Sequence, residues 1–389
     1  MPSRNLSVGL PAINGLISRI LVAFRVPGFP WLWASATLGA MSMMAGGLTV
    51  GWLVLDLTDS PFWVGAVAAA RGFGQVGFGV FAGVLIDRLD KRHVLAVSQI
   101  FNGAVPLILS LLVMTDQIAL WHIILANLLQ GIFMSIRAPT INTVAYQMAG
   151  PQHILNASAA INLSFNLASA TASAIAGALI AVRGVESGLL FSAACAFVGG
   201  VVVLFIKGVF KTAAAREPFL RAAVEGVKYA WANLPVRRLL SLSVTMEMFG
   251  FSYYVMLPVV ARDVLGVDAA GLGLLSSMGG VGSTLSTLGI ASLGDFKNKS
   301  GLLVSTVIST GLFLIFFGFS RWYVSSLVIA ILIGVVTEAR KREQRLLMTG
   351  LSAHFQKIFR MVGLTQYADL YASVGEALDS LGNTSGKAN

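Results

Sequence analysis

Apolar runs of about twenty residues recur along this 389-residue chain, separated by short segments that hold most of its charge. A helical run of that length matches the hydrocarbon thickness of a bilayer, ~30 Å. Only 11% of the residues are charged, whereas a soluble domain has about 25%. Because so little charge cannot cover a water-facing surface, a soluble enzyme and a disordered chain are both excluded. The sequence therefore predicts an all-α polytopic protein embedded in the lipid bilayer.

Ten apolar runs are predicted to be membrane-spanning helices, because backbone groups in lipid must be hydrogen-bonded within their own segment. They are 31–56, 62–86, 93–114, 119–141, 155–181, 187–208, 239–261, 269–294, 300–319 and 322–337. Residues 9–25 are apolar with interleaved arginines and are predicted to lie as a helix in the membrane interface.

Lysines and arginines are divided unequally between the two sides of the predicted membrane. Of the 27, only Arg183, Arg262 and Arg321 lie in one set of loops, and Arg71 lies within a span. The others lie in the opposite loops, which include Arg137, and in the two terminal segments. Because cytoplasmic loops are enriched in these residues, both termini are predicted to be cytoplasmic, and the opposite side is called outer here. The net charge of +10 thus reflects topology, and no nucleic-acid partner is predicted.

Two cytoplasmic loops resemble each other and indicate an internal repeat. Aligning Asp87 with Asp295 also places Lys91 on Lys299 and the start of the first span on that of the seventh. Two such halves of six helices each are typical of secondary transporters. A complete second half would end at about residue 416, but the apolar pattern stops at Glu338, so ten of twelve helices are predicted. The predicted units are an N-terminal six-helix bundle with its interfacial helix (1–208), a basic cytoplasmic loop (209–238), an incomplete four-helix C-terminal bundle (239–338) and a cytoplasmic tail (339–389).

Four motifs occur in a characteristic order along residues 20–338. They are the turn Leu57–Pro61, the loop Gly83–Arg92, the segment from Arg137-Ala138-Pro139 to Asn156-Ala157, and Leu257–Gly266. Together they resemble the major facilitator superfamily and are most similar to its branch of enterobactin-exporter-like and macrolide-efflux-like proteins. The resemblance implies a two-bundle fold that works by alternating access around a site near the membrane midplane.

The resemblance also implies a cytoplasmic gate at the loop after the second span. Its residues would be Gly83, Asp87, Arg88, Lys91 and Arg92, with Asp295 as the counterpart in the second half. The Asp87 carboxylate is expected to cap the start of an eleventh helix, where the helix dipole favours an anion. That helix is one of the two that the sequence is predicted to lack.

The tail after Glu338 has a different character. It is predicted to form a strand at Arg345–Met348, a helix at 352–362, a strand at Asp369–Tyr371 and a helix at 374–381. This order resembles the C-terminal part of a STAS domain, and about 50 residues of such a domain cannot bury a normal core. We interpret the junction near Glu338 as a fusion or a misassembled reading frame.

Charged residues within a span are costly, by about 2.5–3.5 kcal/mol each, and are therefore functional candidates. Two are predicted, Glu247 in the seventh span and Arg71 in the second. A carboxylate removed from water favours its neutral form, so Glu247 is the candidate for proton coupling, with an ion pair or hydrogen bond that fixes helix packing as the alternative. Arg71 is expected to hydrogen-bond within the bundle, to pair with Glu247 or to attract an anionic substrate.

Further polar and aromatic residues are candidates to line a substrate cavity. They are Gln75, Asn127, Gln130, Asn162, Asn166, Tyr253 and Tyr254. Asn162 and Asn166 are four residues apart and therefore share one face of a helix. For all of them, helix–helix packing is the alternative role.

Sequence patterns of catalysis and cofactor binding are not found. The chain has no phosphate-binding Gly-x-x-x-x-Gly-Lys-Ser/Thr loop, no Gly-x-Ser-x-Gly elbow and no metal-ligand spacing among its four histidines. No enzyme activity, cofactor or metal is therefore predicted. The predicted function is proton-coupled export of a small amphipathic compound, a drug or siderophore-like molecule, across the bacterial inner membrane. The alternatives are a membrane-anchored regulatory protein acting through the STAS-like tail and a transport-inactive truncated or chimeric product.

Overall fold

The structure is a computed structural model of the whole chain. The residues that it describes are 23–206, 228, 231–234, 236–237, 241, 252–293, 299–342, 346–349 and 368–371. Side chains are described in all of these ranges except at 80–88, 151–152, 154–155, 288–293, 299–304 and 339 onward. Residues 9–22 of the predicted interfacial helix at 9–25 and most of the basic loop lie outside the described residues.

Ten main helices make up most of the described part of the chain. Their bounds are α1 Phe29–Thr58, α2 Pro61–Arg88, α3 Lys91–Met114, α4 Leu120–Gly150, α5 Asn156–Arg183, α6 Val185–Val203, α7 252–264, α8 Ala269–Leu293, α9 Lys299–Phe319 and α10 Tyr323–Arg342. Helix α7 changes to a π-helical turn over Val260–Val264. Each helix coincides with one predicted span, which confirms the helical assignments, with the seventh described only from residue 252.

Five of the described helices are individually long and apolar enough to cross a membrane, namely α1, α3, α4, α5 and α6. Helices α9 and α10 contain the shorter apolar stretches Ser305–Phe319 and Tyr323–Glu338. The chain is therefore a multi-pass membrane protein.

Helix α4 corrects the sequence prediction, because it extends nine residues beyond the predicted end at residue 141 and ends at Gly150. The hydropathy falls after residue 141, but apolar side chains continue at helical spacing. Ile141, Val144, Ala145 and Ala149 are buried in one core cluster with α1. The chain turns between α4 and α5 at Gly150, whose φ of +68° is accessible to glycine at little cost.

Helices α1–α6 enclose two apolar cores that lie at opposite ends of the bundle. The core nearer the predicted cytoplasmic side contains Phe29 and Leu32 of α1 together with side chains of α3–α6. The outer core contains Leu53 and Leu55 of α1 together with Leu109 and Ile123. The middle of α1 lies between these two cores, and polar side chains of α2, α3 and α4 surround it there.

Helix α5 packs closely against α8 and joins the first six helices to the remaining four. A methyl group on Gly177 would clash with the backbone of Ala269, and one on Gly280 would clash with the backbone of Ala170. The two helix backbones can approach this closely because these positions carry no side chain. An apolar core shared by α1, α5 and α7–α10 surrounds the contact.

One face of α2 has no described neighbour. Phe73 and Val76 have 75% and 77% of their surface exposed, and a methyl group on Gly72, Gly77 or Gly79 would meet no atom within 4 Å. The glycines at this face therefore do not serve helix packing among the described residues.

Two short strands follow α10. Leu346–Thr349 (β1) pairs in parallel with Ala368–Tyr371 (β2), and Leu346 is opposite Ala368. These strands coincide with the two predicted from the sequence, to within a residue. The helices predicted at 352–362 and 374–381 lie outside the described residues.

Candidate transport site

Arg71 is anchored by two amide side chains of α4. Its Nη2 donates to Asn127 Oδ1 at 2.7 Å and to Gln130 Oε1 at 3.3 Å, and its Nε donates to Asn127 Oδ1 at 3.2 Å. Asn127 is 2% exposed and donates its own amide to the carbonyl of Ile123. The geometry therefore supports the first predicted role of Arg71, a hydrogen-bonding role within the bundle.

Glycines on both helices bring Arg71 to these partners. A methyl group on Gly131 of α4 would clash with the backbone carbonyl of Arg71, and one on Gly74 of α2 would clash with the carbonyl of Leu128. The α2 and α4 backbones therefore lie in contact at this level. This close approach puts Asn127 and Gln130 within reach of the guanidinium.

Arg137 is a second guanidinium inside the bundle, which corrects its assignment to a cytoplasmic loop. It is only 9% exposed, and its Nη2 donates to the carbonyl of Ala36 at 3.0 Å, while its Nε is buried without a hydrogen-bond partner. Gln99 of α3 contacts the same stretch of α1, donating to the carbonyl of Ser35 at 3.1 Å. Both side chains occupy the space beside Gly39 that any larger residue would fill.

The two arginines line one cleft at the middle of the bundle. Its walls are Gly39, Ser42, Met43, Arg71, Asn102, Gln130, Met134 and Arg137. The cavity has a volume of about 20 Å³, which is enough for one water-sized group. We call it the arginine cleft.

The electrostatics of the arginine cleft are dominated by positive charge. Among the described residues, Arg71 and Arg137 hydrogen-bond only to amide and carbonyl oxygens and have no carboxylate partner. Insertion of one arginine at the centre of a membrane helix costs about 2.5–3.5 kcal/mol. Neutral acceptors offset this cost only in part, because they supply no net negative charge.

A separate polar cluster links α5, α8 and α10. Asn166 Nδ2 donates to Thr287 Oγ1 at 3.3 Å, and Thr287 Oγ1 donates to Glu338 Oε1 at 3.3 Å. Glu338 is 4% exposed, although the sequence identified it only as the end of the apolar pattern. The cluster therefore places a buried carboxylate where the two groups of helices meet.

The outer end is closed by an ion pair between α1 and α7. Arg262 Nη2 pairs with Asp59, the residue that caps α1, and Arg262 Nη1 donates to the carbonyl of Leu55 at 3.0 Å. Its Nε also donates to Asp263 at 2.7 Å. The hydrogen bonds to Asp263 and then to Asp59 raise the pKa of Arg262 above its ordinary value, so this outer-loop arginine stays charged. Below this ion pair, Gly51 of α1 lies against Pro258 of α7.

The other predicted cavity residues have varied positions. Gln75 and Asn162 are exposed, whereas Asn166 belongs to the α5–α8–α10 cluster. Tyr253 is buried in the core shared by the two groups of helices, with its ring 4.9 Å from that of Phe317. Tyr254 is partly exposed and its hydroxyl lies beside Gly279. None of these five side chains lines the arginine cleft.

The predicted gate motif lies at the junction of α2 and α3. Asp90 caps α3 by accepting the backbone N–H of Arg92 at 2.9 Å, and the Arg92 side chain donates to the carbonyl of Leu204. Lys91 is fully buried. Gly83, Asp87 and Arg88 belong to the last turns of α2, in the part of the helix without described side chains. Glu247 and Asp295 lie outside the described residues, as does any pairing of Glu247.

No group of three or more His, Cys, Asp or Glu side chains within the described ranges is placed to hold a metal ion. The polar groups that line the arginine cleft are instead guanidinium, amide and hydroxyl groups, which bind and orient molecules by hydrogen bonds. The arrangement is therefore that of a binding site within a helix bundle.

Curated relatives of the chain are transporters at low sequence identity. The chain is 24% identical over 264 residues to the staphyloferrin A transporter of Staphylococcus aureus, covering 66% of this chain and 65% of that protein. It is 23% identical over 309 residues to the enterobactin exporter EntS of Shigella dysenteriae, covering 79% of this chain and 74% of that protein. The matched region thus spans less than two thirds of the staphylococcal relative.

Solved transporter structures share the fold. A bacterial homolog of the human lysosomal transporter Spinster, in an inward-facing and occupied conformation, aligns with a TM-score of 0.60 at 13% identity, covering 86% of this chain and 77% of that one. The nucleoside transporter NupG aligns with a TM-score of 0.57 at 17% identity, covering 80% and 79%. The major-facilitator-type fold expected from the sequence is therefore confirmed.

The family is established by a match that extends over most of the chain. The sequence profile described as transmembrane secretion effector matches residues 19–337, a range that includes all of α1–α9 and most of α10. Membership of this transporter family also confirms the expectation that the chain is not an enzyme. The chain belongs to the transmembrane secretion effector family of the major facilitator superfamily.

Proposed function

We propose that the protein is a secondary active exporter that moves a small amphipathic compound across the bacterial inner membrane by alternating access. The observation that carries the proposal is the outer closure, in which Arg262 of α7 holds Asp59 and Leu55 of α1. This contact joins the two groups of helices at the outer end, in addition to the packing of α5 against α8. A binding cleft that lies deeper in the membrane can then be opened to one side at a time.

The relatives support a siderophore-like or drug-like compound as the exported molecule. Staphyloferrin A and enterobactin are the compounds after which the two relatives are named. The arginine cleft offers hydrogen-bond donors, and Met43 and Met134 in its wall supply adaptable apolar surface. An amphipathic molecule fits both kinds of wall.

Proton coupling through Glu247 is the mechanistic part of the proposal. A carboxylate within a span exchanges a proton when its exposure to water changes, and alternating access produces such a change. Two bundles, α1–α6 and the helices that follow the basic loop, are proposed as the rocking units. The charge distribution supports cytoplasmic termini for this arrangement.

Export is tested in cells that lack their own efflux systems and are loaded with a panel of amphipathic compounds, enterobactin among them. Wild type is expected to lower the accumulation of at least one compound relative to empty vector, and an uncoupler to abolish the difference. Glu247→Gln is expected to behave like empty vector, whereas Glu186→Gln at the outer end of α6 removes the same charge and is expected to export normally. Equal, uncoupler-insensitive export by wild type and Glu247→Gln would contradict proton coupling.

A second candidate function is regulation through the tail, which is favoured by the parallel pairing of β1 with β2. Parallel strands need a crossover connection of a dozen or more residues, as the predicted STAS-like order supplies. A variant that ends after Arg342 distinguishes the two candidates. If it exports as wild type does, the tail is dispensable for transport; if no compound is exported by either form, a regulatory protein or a transport-inactive product is favoured instead.

A further inference from the structure

We infer that the arginine cleft is an anion-binding site and that the exported compound carries an acidic group that binds between Arg71 and Arg137. The inference deepens the proposed function and rests on it only in taking the bound compound to be the one that is exported. The binding site itself stands on the geometry of the cleft alone.

The positive charge of the arginine cleft is unbalanced among the described residues. Two guanidiniums line a single small cleft, and within the described ranges their partners are the neutral oxygens of Asn127, Gln130 and Ala36. Cations inside a membrane protein normally pair with a carboxylate or face a ligand. An anionic group of a bound molecule would supply the missing negative charge.

Arg137 also has unused hydrogen-bonding capacity. Arg137 is more than nine-tenths buried, its guanidinium lines the cleft, and its Nε has no acceptor. Guanidinium is a fork of donors that matches a carboxylate or phosphate. A buried donor without an acceptor is costly, so the site is complete only when an acceptor enters it.

The two arginines approach α1 at different levels along its axis. Arg137 contacts α1 at Gly39, and Arg71 approaches it at Gly47, where a methyl group would lie 3.5 Å from Arg71 Nη1. Eight residues of helix correspond to about 12 Å. Ser42 and Met43, which lie between these two positions in the sequence of α1, also line the cleft, and the Ser42 hydroxyl lies 3.1 Å from that of Ser192 of α6.

The size of the cleft limits what binds in this conformation. A cavity of about 20 Å³ accepts a group the size of a carboxylate oxygen or a water molecule, and not a whole drug-sized molecule. The acidic group is therefore the part of the substrate held here. The apolar remainder would pack against Met43 and Met134, which also line the cleft.

Direct binding tests the inference without any transport. Radiolabelled benzoate is the probe, because it is a small amphipathic carboxylate, and benzamide is its neutral isostere. With the full chain in detergent and a low-chloride buffer, benzoate is expected to bind at least tenfold more tightly than benzamide. No benzoate binding, or equal affinity for both, would overturn the anion site.

Variants then assign the site to the two arginines. Arg71→Gln and Arg137→Gln are each expected to weaken benzoate binding at least tenfold and to leave benzamide binding unchanged. Arg183→Gln, at the exposed outer end of α5, removes the same charge away from the cleft and is expected to have no effect. Unchanged benzoate affinity in both cleft variants would overturn the assignment.

A third variant guards against loss of folding. Gln130→Glu keeps both arginines and adds a carboxylate beside Arg71, so it is expected to abolish benzoate binding while preserving or raising thermal stability. Benzoate binding that survives Gln130→Glu would count against the inference. If the wild type binds benzoate selectively but exports no compound, the anion site is supported and the exporter function is refuted. If the wild type exports a compound but binds benzoate and benzamide with equal affinity, the exporter function is supported and the anion site is refuted.

Discussion

The outer closure gives the sharpest prediction about conformational change. Arg262 holds α1 by two contacts, an ion pair with Asp59 and a hydrogen bond to the carbonyl of Leu55. Removing Asp59 breaks the first contact only, whereas removing Arg262 breaks both. Asp59→Asn and Arg262→Gln should therefore open the outer end to different extents.

The free energies of these two contacts are estimated first, and the exposure of the side chains limits that of the ion pair. The Asp59 side chain is 87% exposed and that of Arg262 is 29% exposed, so screening limits the ion pair to about 0.5 kcal/mol. The hydrogen bond to Leu55 contributes about 1 kcal/mol. Asp59→Asn is expected to raise the ratio of outer-open to outer-closed protein about twofold, and Arg262→Gln about tenfold. The double variant should match Arg262→Gln alone, because Asp59 acts through Arg262.

Distances between spin labels at the outer surface measure this ratio. Gln117→Cys in the α3–α4 loop and Arg321→Cys in the α9–α10 loop place one exposed label on each group of helices. Cys195, the single native cysteine, is buried and is replaced by serine to avoid labelling. The long-distance population is expected to increase in the order wild type, Asp59→Asn, Arg262→Gln.

Asp263→Asn is the matched control, because Asp263 also contacts Arg262 but lies next to it on the same helix. It is expected to change the ratio by less than twofold. This role of Arg262 is refuted if all variants give the wild-type distances, if Asp59→Asn opens the outer end more than Arg262→Gln, or if the effects of these two substitutions add in the double variant.

Two further predictions concern stability, measured by thermal unfolding in detergent. Gly280→Ala forces a methyl group into the backbone of Ala170 and is expected to destabilise the protein by about 1–3 kcal/mol. The control Gly79→Ala adds a methyl group that meets no atom within 4 Å and is expected to be neutral or slightly stabilising. Similar changes in stability for both variants would contradict the α5–α8 contact. Tyr253→Ala is expected to lower the stability by about 3–5 kcal/mol, because the ring packs on Phe317 in the shared core. Tyr253→Phe keeps the ring and is expected to be nearly neutral. A large loss of stability in Tyr253→Phe would show instead that the hydroxyl is needed.

The spans could be predicted from the sequence because a membrane imposes a rule on each segment separately. Run length and hydropathy sufficed for helices such as α1 and α3, whose ends lie within two residues of the predicted ones. The rule failed for α4, whose last turns are amphipathic and buried against protein rather than lipid. The spacing of Ile141, Val144 and Ala145 was the signal that could have extended it.

The same rule also failed to place Arg137, one of the two arginines of the candidate site. Arg137 was assigned to a loop because charge usually marks the ends of spans, and its burial depends on contacts with α1 that no local pattern reveals. Arg71 was identified from the sequence because it interrupts an apolar run. The proximity of Arg71 to Asn127 could not be identified from the sequence, because this proximity depends on glycines that bring α2 and α4 together.

By itself, the sequence determined that this protein is a multi-pass helical membrane protein, where most of its spans lie and which family it resembles. Tertiary structure alone decided that Arg71 and Arg137 share one cleft and that Arg262 closes the outer end onto α1. The physical reason is the separation in sequence of the residues involved. A membrane-spanning segment forms a helix because of its own transfer from water to lipid, so its own residues suffice to predict it. By contrast, Arg137 and Ala36 are 101 residues apart in sequence, and Arg262 and Leu55 are 207 residues apart. Such pairs meet only when whole helices pack, and packing depends on the shapes of all their neighbours at once.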